Sequence, residues 1–218
     1  MYTEFNAAGN ARMVNLTNND KEMRKKTLSV PKILPFVRTL LEESLSEGDT
    51  AMDATAGNGH DTLFLREVVG HTGYVLSFDI QKEALQHTKK TPGQADSQCT
   101  DPGQSCQCND LSKWTQPKAA IFNLGYLPGG DKTIVTSPSS TITSVRQLLS
   151  VMPRGAVIII VVYYGHEEGK KERDALVKFT CSLSHHEALV ARYEFINHTN
   201  DPPFILAIEK RKGAENDA

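Results

Sequence analysis

No stretch of this 218-residue chain is apolar for long enough to cross a bilayer. The longest, Ala156 to Tyr164 (AVIIIVVYY), suits a buried strand and falls far short of a membrane-spanning helix, so no membrane partner is expected. Cysteine is scarce. Cys99, Cys106, Cys108 and Cys181 include no C-x-x-C pair, so the usual ligand spacing is missing and no metal is expected. Nor does one sign of charge dominate: Lys+Arg 24 against Asp+Glu 26 leaves a formal net charge of -2. That balance excludes a protein that grips nucleic acid by bulk charge and leaves any such contact to a local patch. The first 26 residues lack the apolar core of a secretory signal. They read as a flexible arm, and a reducing intracellular compartment is expected. What remains is ordinary for a globular protein: 39% hydrophobic and 23% charged residues exclude wholesale disorder.

The apolar pattern alternates between strand and helix. Val30 to Leu45 carries Ile33, Leu34, Val37, Leu40, Leu41 and Leu45 at helical spacing, with Pro31 in the first turn and Pro35 set to kink the helix or delay its start. Thr50 to Ala56 reads as a strand ending in a glycine turn, followed by a helix over His60 to Val69. Gly73 to Asp79 and Ala119 to Leu124 read as further strands, with a helix over Gln81 to Lys89. Helix Thr141 to Met152, strand Ala156 to Tyr164 and helix Glu167 to Leu183 follow. Ala191 to Asn197 and Phe204 to Arg211 close the chain as an antiparallel pair. Thr91 to Lys118, rich in Pro, Gly and Cys, must hold one more strand, near Ser105 to Cys108. The expectation is one α/β domain over 27–212 with a short tail at 213–218, built on a doubly wound, mostly parallel sheet.

In such sheets ligands bind beyond the carboxyl ends of the strands. The first strand runs off into Asp53-Ala-Thr-Ala-Gly57-Asn-Gly59-His60-Asp61-Thr62, where two glycines permit a sharp turn and a close approach to a ligand. Asp79, twenty residues after Gly59, ends the second strand, where a carboxylate accepts from both hydroxyls of a ribose. Dinucleotides and S-adenosylmethionine both use this layout. A dinucleotide fingerprint wants glycine three residues after Gly59, yet Thr62 stands there and Asp61 would face a pyrophosphate. Asp53, before the turn, is placed to meet the amino group of a methionine moiety. The pattern favours S-adenosylmethionine.

Two more constellations lie at strand ends. Asn123-Leu-Gly-Tyr126-Leu-Pro128-Gly-Gly-Asp131-Lys132 has the outer letters of the [D/N]-P-P-[Y/F] segment of amino-methylating enzymes. There a carboxamide and backbone carbonyls accept from the amine so that its lone pair aims at the methyl group. Asn200-Asp201-Pro202-Pro203-Phe204 matches those letters better but lies between the last two strands, where it can rim the same pocket. Tyr163-Tyr164-Gly165-His166 ends the strongest strand, and His166 is the histidine best placed for proton traffic.

DATAGNGHDT, FDIQ (Phe78 to Gln81), FNLGYLPGGDK (Phe122 to Lys132) and INHTNDPPFILAIEK (Ile196 to Lys210) together resemble the MnmM-type tRNA wobble-uridine methyltransferases, a small class I family long labelled as rRNA methylases. The resemblance runs from Val30 to Lys210 in the same order. It implies a seven-stranded sheet with an antiparallel last strand, S-adenosyl-L-methionine as donor, and a homodimer. It implies conversion of 5-aminomethyl-(2-thio)uridine to 5-methylaminomethyl-(2-thio)uridine at position 34 in the tRNA anticodon stem-loop. By motif, Asp53, Thr55, Gly57, Asn58 and Gly59 line the donor, with His60, Asp61 and Thr62 nearby. Asp79, Ile80 and Gln81 hold the ribose side, and Asn109 or Asp110 falls at the adenine side. Asn123, Leu124 and Gly125 approach the methyl group. Tyr126, Pro128, Asp131, Lys132, Tyr164, His166, Asn200, Asp201 and Pro202 face the tRNA, with Asn123, Tyr126 and His166 as the catalytic set. Thr91 to Lys118 departs from the bacterial members, which with the N-terminal arm leaves a cytoplasmic or a plastid or mitochondrial location open. Rival readings are an rRNA or small-molecule amine methyltransferase, and a methyltransferase-like scaffold without turnover.

Overall fold

The computed structural model describes residues 2–5, 11–14, 29–79, 81, 84, 116–125, 137–165 and 167–212. The chain divides into two units, Met1–Lys32 and Ile33–Ala218. In the first, β1 (Tyr2–Phe5) pairs antiparallel with β2 (Ala11–Val14), Tyr2 opposite Val14.

The second unit begins with α1 (Ile33–Ser44), which buries Ile33, Val37 and Leu41 at helical spacing. It starts three residues later than the expected Val30, so Pro31 lies before it and Pro35 sits in the first turn, where an N–H has no intrahelical partner to lose. Then follow β3 (Thr50–Asp53), α2 (His60–Val69), β4 (Tyr74–Ser77) and β5 (Ala119–Asn123). Next, α3 (Pro138–Val151) starts a turn earlier than the expected Thr141. Ser137 caps it, accepting from the Ser140 N–H at 3.3 Å, and Pro138 takes the first helical position. After β6 (Val157–Val162) and α4 (Glu167–Ser182) comes β7 (Ala188–Tyr193), three residues earlier than expected, and β8 (Phe204–Lys210). The shift follows from pairing: among the described strands β7 hydrogen-bonds only to β8, from Ala188 opposite Lys210 to Tyr193 opposite Ile205, so β8 sets where it ends.

The sheet runs β4-β3-β5-β6-β8-β7. Pairs β3–β4, β3–β5 and β5–β6 are parallel, whereas β8 is antiparallel to both β6 and β7. This sheet has six strands among the described residues against seven expected. The missing one was placed near Ser105 to Cys108, outside those residues. Alternate residues of the central strands face opposite helix pairs. Met52, Phe122, Ile158, Ile160, Phe204 and Leu206 pack with Leu148 of α3 and Leu176 of α4. Ala51, Ile121, Ile159, Val161 and Ile205 pack with Leu41 of α1 and Leu65 of α2. Two buried faces explain why β6 reads as an unbroken apolar run. From β3 the chain first builds outward to β4 and then resumes on the other side with β5. Asp53 and Asn123 therefore end neighbouring strands at the point where strand order reverses.

Candidate active site at the carboxyl edge

The turn after β3 is stitched to both neighbours. The Ala54 N–H donates to the Ile121 carbonyl at 2.9 Å, and that of Ala56 to the Phe78 carbonyl at 2.8 Å. Asp53 is fully buried. Its Oδ1 accepts from the Thr55 N–H at 3.1 Å and its Oδ2 from the Thr62 hydroxyl at 2.6 Å, with Ser77 Oγ 3.0 Å from that hydroxyl. Enclosed on all sides, the Asp53 carboxyl shapes the turn, and the equally buried Thr62 bonds to it. Loss of hydration pushes the Asp53 carboxyl up from 3.8 to about 7.

Gly57 at φ 51 and Gly59 at φ 82 occupy the left-handed region that side-chain-bearing residues avoid, which lets the backbone double back into α2. Gly57 donates its N–H to Asp79 Oδ2 at 2.9 Å, and Gln81 donates its own to Oδ1 at 2.8 Å. A carboxylate offers about four lone-pair directions, so two remain on Asp79 for a ligand. Gln81 itself is buried. Asn58 is half-buried and His60 exposed at the start of α2.

Asn123 is held from two directions. Its N–H donates to Thr55 Oγ1 at 2.7 Å, and its Nδ2 donates to Asp61 Oδ2 at 3.0 Å. Thr55 and Asp61, expected beside a donor, thus both engage Asn123. The side chain of Leu124 turns into the core, 2% exposed, and its N–H donates to the Val161 carbonyl at 3.0 Å. Any ligand contact there is left to backbone. Gly125, at φ 145, has no atom of the described residues within 4 Å of where a Cβ would stand.

Beyond β6, the half-buried Tyr163 hydroxyl has its pKa raised by burial and then by the charge of Asp61. Tyr164 packs edge-on to Phe204 at 5.6 Å, and the Arg173 guanidinium lies 5.1 Å from its ring. A cavity of about 410 Å³ is lined by Tyr164, Arg173, Asp174, Val177, Lys178 and Arg192. Sequence reasoning missed its three cations, which fall singly on a polar helix face and an edge strand. Asn200, Asp201 and Pro202 lie in the β7–β8 connection; since Phe204 pairs with Val162, that connection reaches the same edge. Ile80, Asn109, Asp110, Tyr126, Pro128, Asp131, Lys132 and His166 lie outside the described residues. Among the described residues no cluster of His, Cys, Asp or Glu could hold a metal, and no helix is long and apolar enough to cross a membrane.

Residues 75–209 match the family model described as "Putative rRNA methylase". Over 199 residues the chain is 29% identical to the Arabidopsis thaliana protein named "tRNA (mnm(5)s(2)U34)-methyltransferase, chloroplastic", spanning 86% of this chain and 70% of that protein. A solved "putative rRNA-methylase" from Clostridium thermocellum is 34% identical, with TM-score 0.77 over 84% of this chain and all of that one. A "putative methyltransferase" from Streptococcus mutans, solved in complex with SAH, is 33% identical, with TM-score 0.73 over 84% of this chain and 99% of that one.

Proposed function

The chain belongs to the family described as "Putative rRNA methylase", and from that premise we propose that it methylates the exocyclic amine of 5-aminomethyl-(2-thio)uridine at the tRNA wobble position. It is an S-adenosylmethionine-dependent methyltransferase, as its relatives and its class I fold indicate. The residues present fit that donor: Asp79 is aimed by two backbone N–H groups, keeps two acceptor directions for ribose hydroxyls, and stands across the Gly57–Gly59 turn. When bound, S-adenosylmethionine supplies an electrophilic methyl group.

The observation that carries the substrate reading is the Asn123 carboxamide. With Nδ2 donating to Asp61, Oδ1 is left as an acceptor at the end of β5. An amine that donates its N–H to this oxygen presents its lone pair elsewhere, and alignment of nucleophile and methyl is what such a transfer requires. On this reading Tyr126 stacks on the unpaired wobble base, worth about 1–3 kcal/mol. His166 accepts the proton released by the amine, and Pro128, Asp131, Lys132 and the 200–202 connection contact the anticodon stem-loop. The cavity beside Tyr164 gathers Arg173, Lys178 and Arg192 with one carboxylate, Asp174, a local excess of positive charge in a chain of net charge -2, with Arg173 paired to Asp174 and Arg192 to Glu194. Similarity to the Arabidopsis enzyme supports the same substrate.

The test offers labelled donor with tRNA carrying the aminomethyl group, tRNA lacking it, and rRNA. Label confined to the first tRNA is expected. Asn123→Ala should lower kcat more than donor affinity, and Tyr126→Ala should mainly raise KM for tRNA. Equal labelling of both tRNAs, or label only in rRNA, refutes the reading.

A further inference from the structure

Asp61 does not belong to β5, yet it decides what β5 presents. It stands in the first turn of α2, and its Oδ2 receives the Nδ2–H of Asn123 at 3.0 Å across 62 residues of sequence. A carboxamide has two faces of nearly equal size, one accepting and one donating, and packing alone discriminates poorly between them. A carboxylate accepts only. Set opposite the amide, Asp61 requires the nitrogen on its own side and therefore the oxygen on the other. The opposite setting would offer an N–H to the substrate amine, tying up the lone pair that must attack.

We propose that Asp61 is a positioning residue that fixes the amide of Asn123 with Oδ1 toward the substrate amine, through the Nδ2–H···Oδ2 bond between α2 and the end of β5. The inference rests on the reading of Asn123 as the acceptor of the amine. Thr55, on the same β3–α2 connection, anchors the Asn123 backbone through the 2.7 Å bond to its hydroxyl, so one segment grips both ends of the residue. Asp61 is half-buried, and its charge adds to burial in raising the pKa of the Tyr163 hydroxyl at the end of β6. Beyond orientation, a negative charge behind the amide nitrogen polarises the carboxamide and strengthens its oxygen as an acceptor. The amine gains positive charge as it takes the methyl group, so that strengthening grows toward the transition state.

The test compares Asp61→Asn, Asp61→Glu, Asn123→Ala and the double variant Asp61→Asn/Asn123→Ala in the full chain. With aminomethyl tRNA, Asp61→Asn should lower kcat by about tenfold to a hundredfold, since an amide at 61 permits either setting of its partner and also removes the charge that strengthens Oδ1 as an acceptor. Donor affinity should stay within about twofold, and Asp61→Glu should recover part of the loss. The double variant should be no slower than Asn123→Ala alone, because both changes remove one device. Losses that multiply, or a fall in donor affinity that accounts for the lost rate, overturn the proposal and make Asp61 an independent contact. A readout free of substrate keeps this distinct from failure of the functional reading. In a nitrogen-15 spectrum of the protein alone, the Asn123 side-chain amide protons should shift markedly in Asp61→Asn. Unchanged resonances overturn the proposal whatever RNA the enzyme methylates, whereas a shifted amide with full activity in Asn123→Ala sinks the substrate reading instead.

Discussion

Replacing Asp53 with asparagine should make the fold more stable than wild type at neutral pH while leaving the two alike in acid. The carboxyl is fully buried, and its pKa rises from 3.8 to about 7. Lost hydration is the main cause, the charges of Asp61 and Asp79 add to it, and the bonds from Thr62 and Thr55 pull against it. The folded protein thus holds this proton more tightly than the unfolded chain. Below about pH 4 both states carry it and pH has no leverage. As pH rises from there toward 7, the unfolded chain has lost the proton and the folded state still carries it. Stability then falls by about 1.4 kcal/mol per pH unit, on the order of 4 kcal/mol in all. Above the folded value both states are ionised and the deficit is constant. Asparagine has nearly the shape of the protonated acid and does not titrate. Its Oδ1 accepts from the Thr55 N–H, and the Thr62 hydroxyl can turn to accept from Nδ2 and donate to Ser77 Oγ, 3.0 Å away. Urea denaturation of both proteins from about pH 4 to pH 8 gives the difference directly, cancelling the other titrating groups. A difference that stays flat across that range refutes the burial argument.

Asp79→Ala should weaken S-adenosylmethionine binding roughly tenfold or more, since hydrogen bonds to a charged group are worth about 1.5–3 kcal/mol; unchanged affinity by calorimetry in a folded variant would remove the ribose clamp. Replacing all four cysteines with serine should leave turnover within a few-fold, because methyl transfer to an amine needs alignment and no covalent nucleophile, and Cys181 is exposed. Complete loss of turnover in a well-folded variant would reopen that question.

The parts of the site legible in the sequence were those that backbone chemistry dictates. Gly57 and Gly59 announce a turn because only glycine sits comfortably at their φ of 51 and 82, and AVIIIVVYY announces a strand buried on both faces. Partnerships between distant residues were not legible. Nothing local says that Asp61 faces Asn123, or that Asp53 is enclosed by Thr62 and Ser77, because these pairings arise only when β3, β4 and β5 line up. Edges were also poorly written. The signal for β7 drifted toward Phe195 because aromatic residues mark strands, yet Phe195 contributes its ring to the α1 face from just beyond the strand end.

The order of strands in space differs from their order of synthesis, and this constrains how the sheet can close. β7 emerges before β8 but lies outboard of it, and among the described strands its sole hydrogen-bonded neighbour is β8. Until Phe204–Lys210 is made, β6 presents an unpaired edge and the segment of β7 has no strand of the sheet to pair with. A nascent chain stopped near residue 203 would therefore carry an adhesive edge and an unpaired segment beside a half-built sheet, a form prone to aggregate. Because β8 slots in between them instead of adding to the outside, its arrival completes both ladders in a single step. Closure of that half of the molecule should be all-or-none.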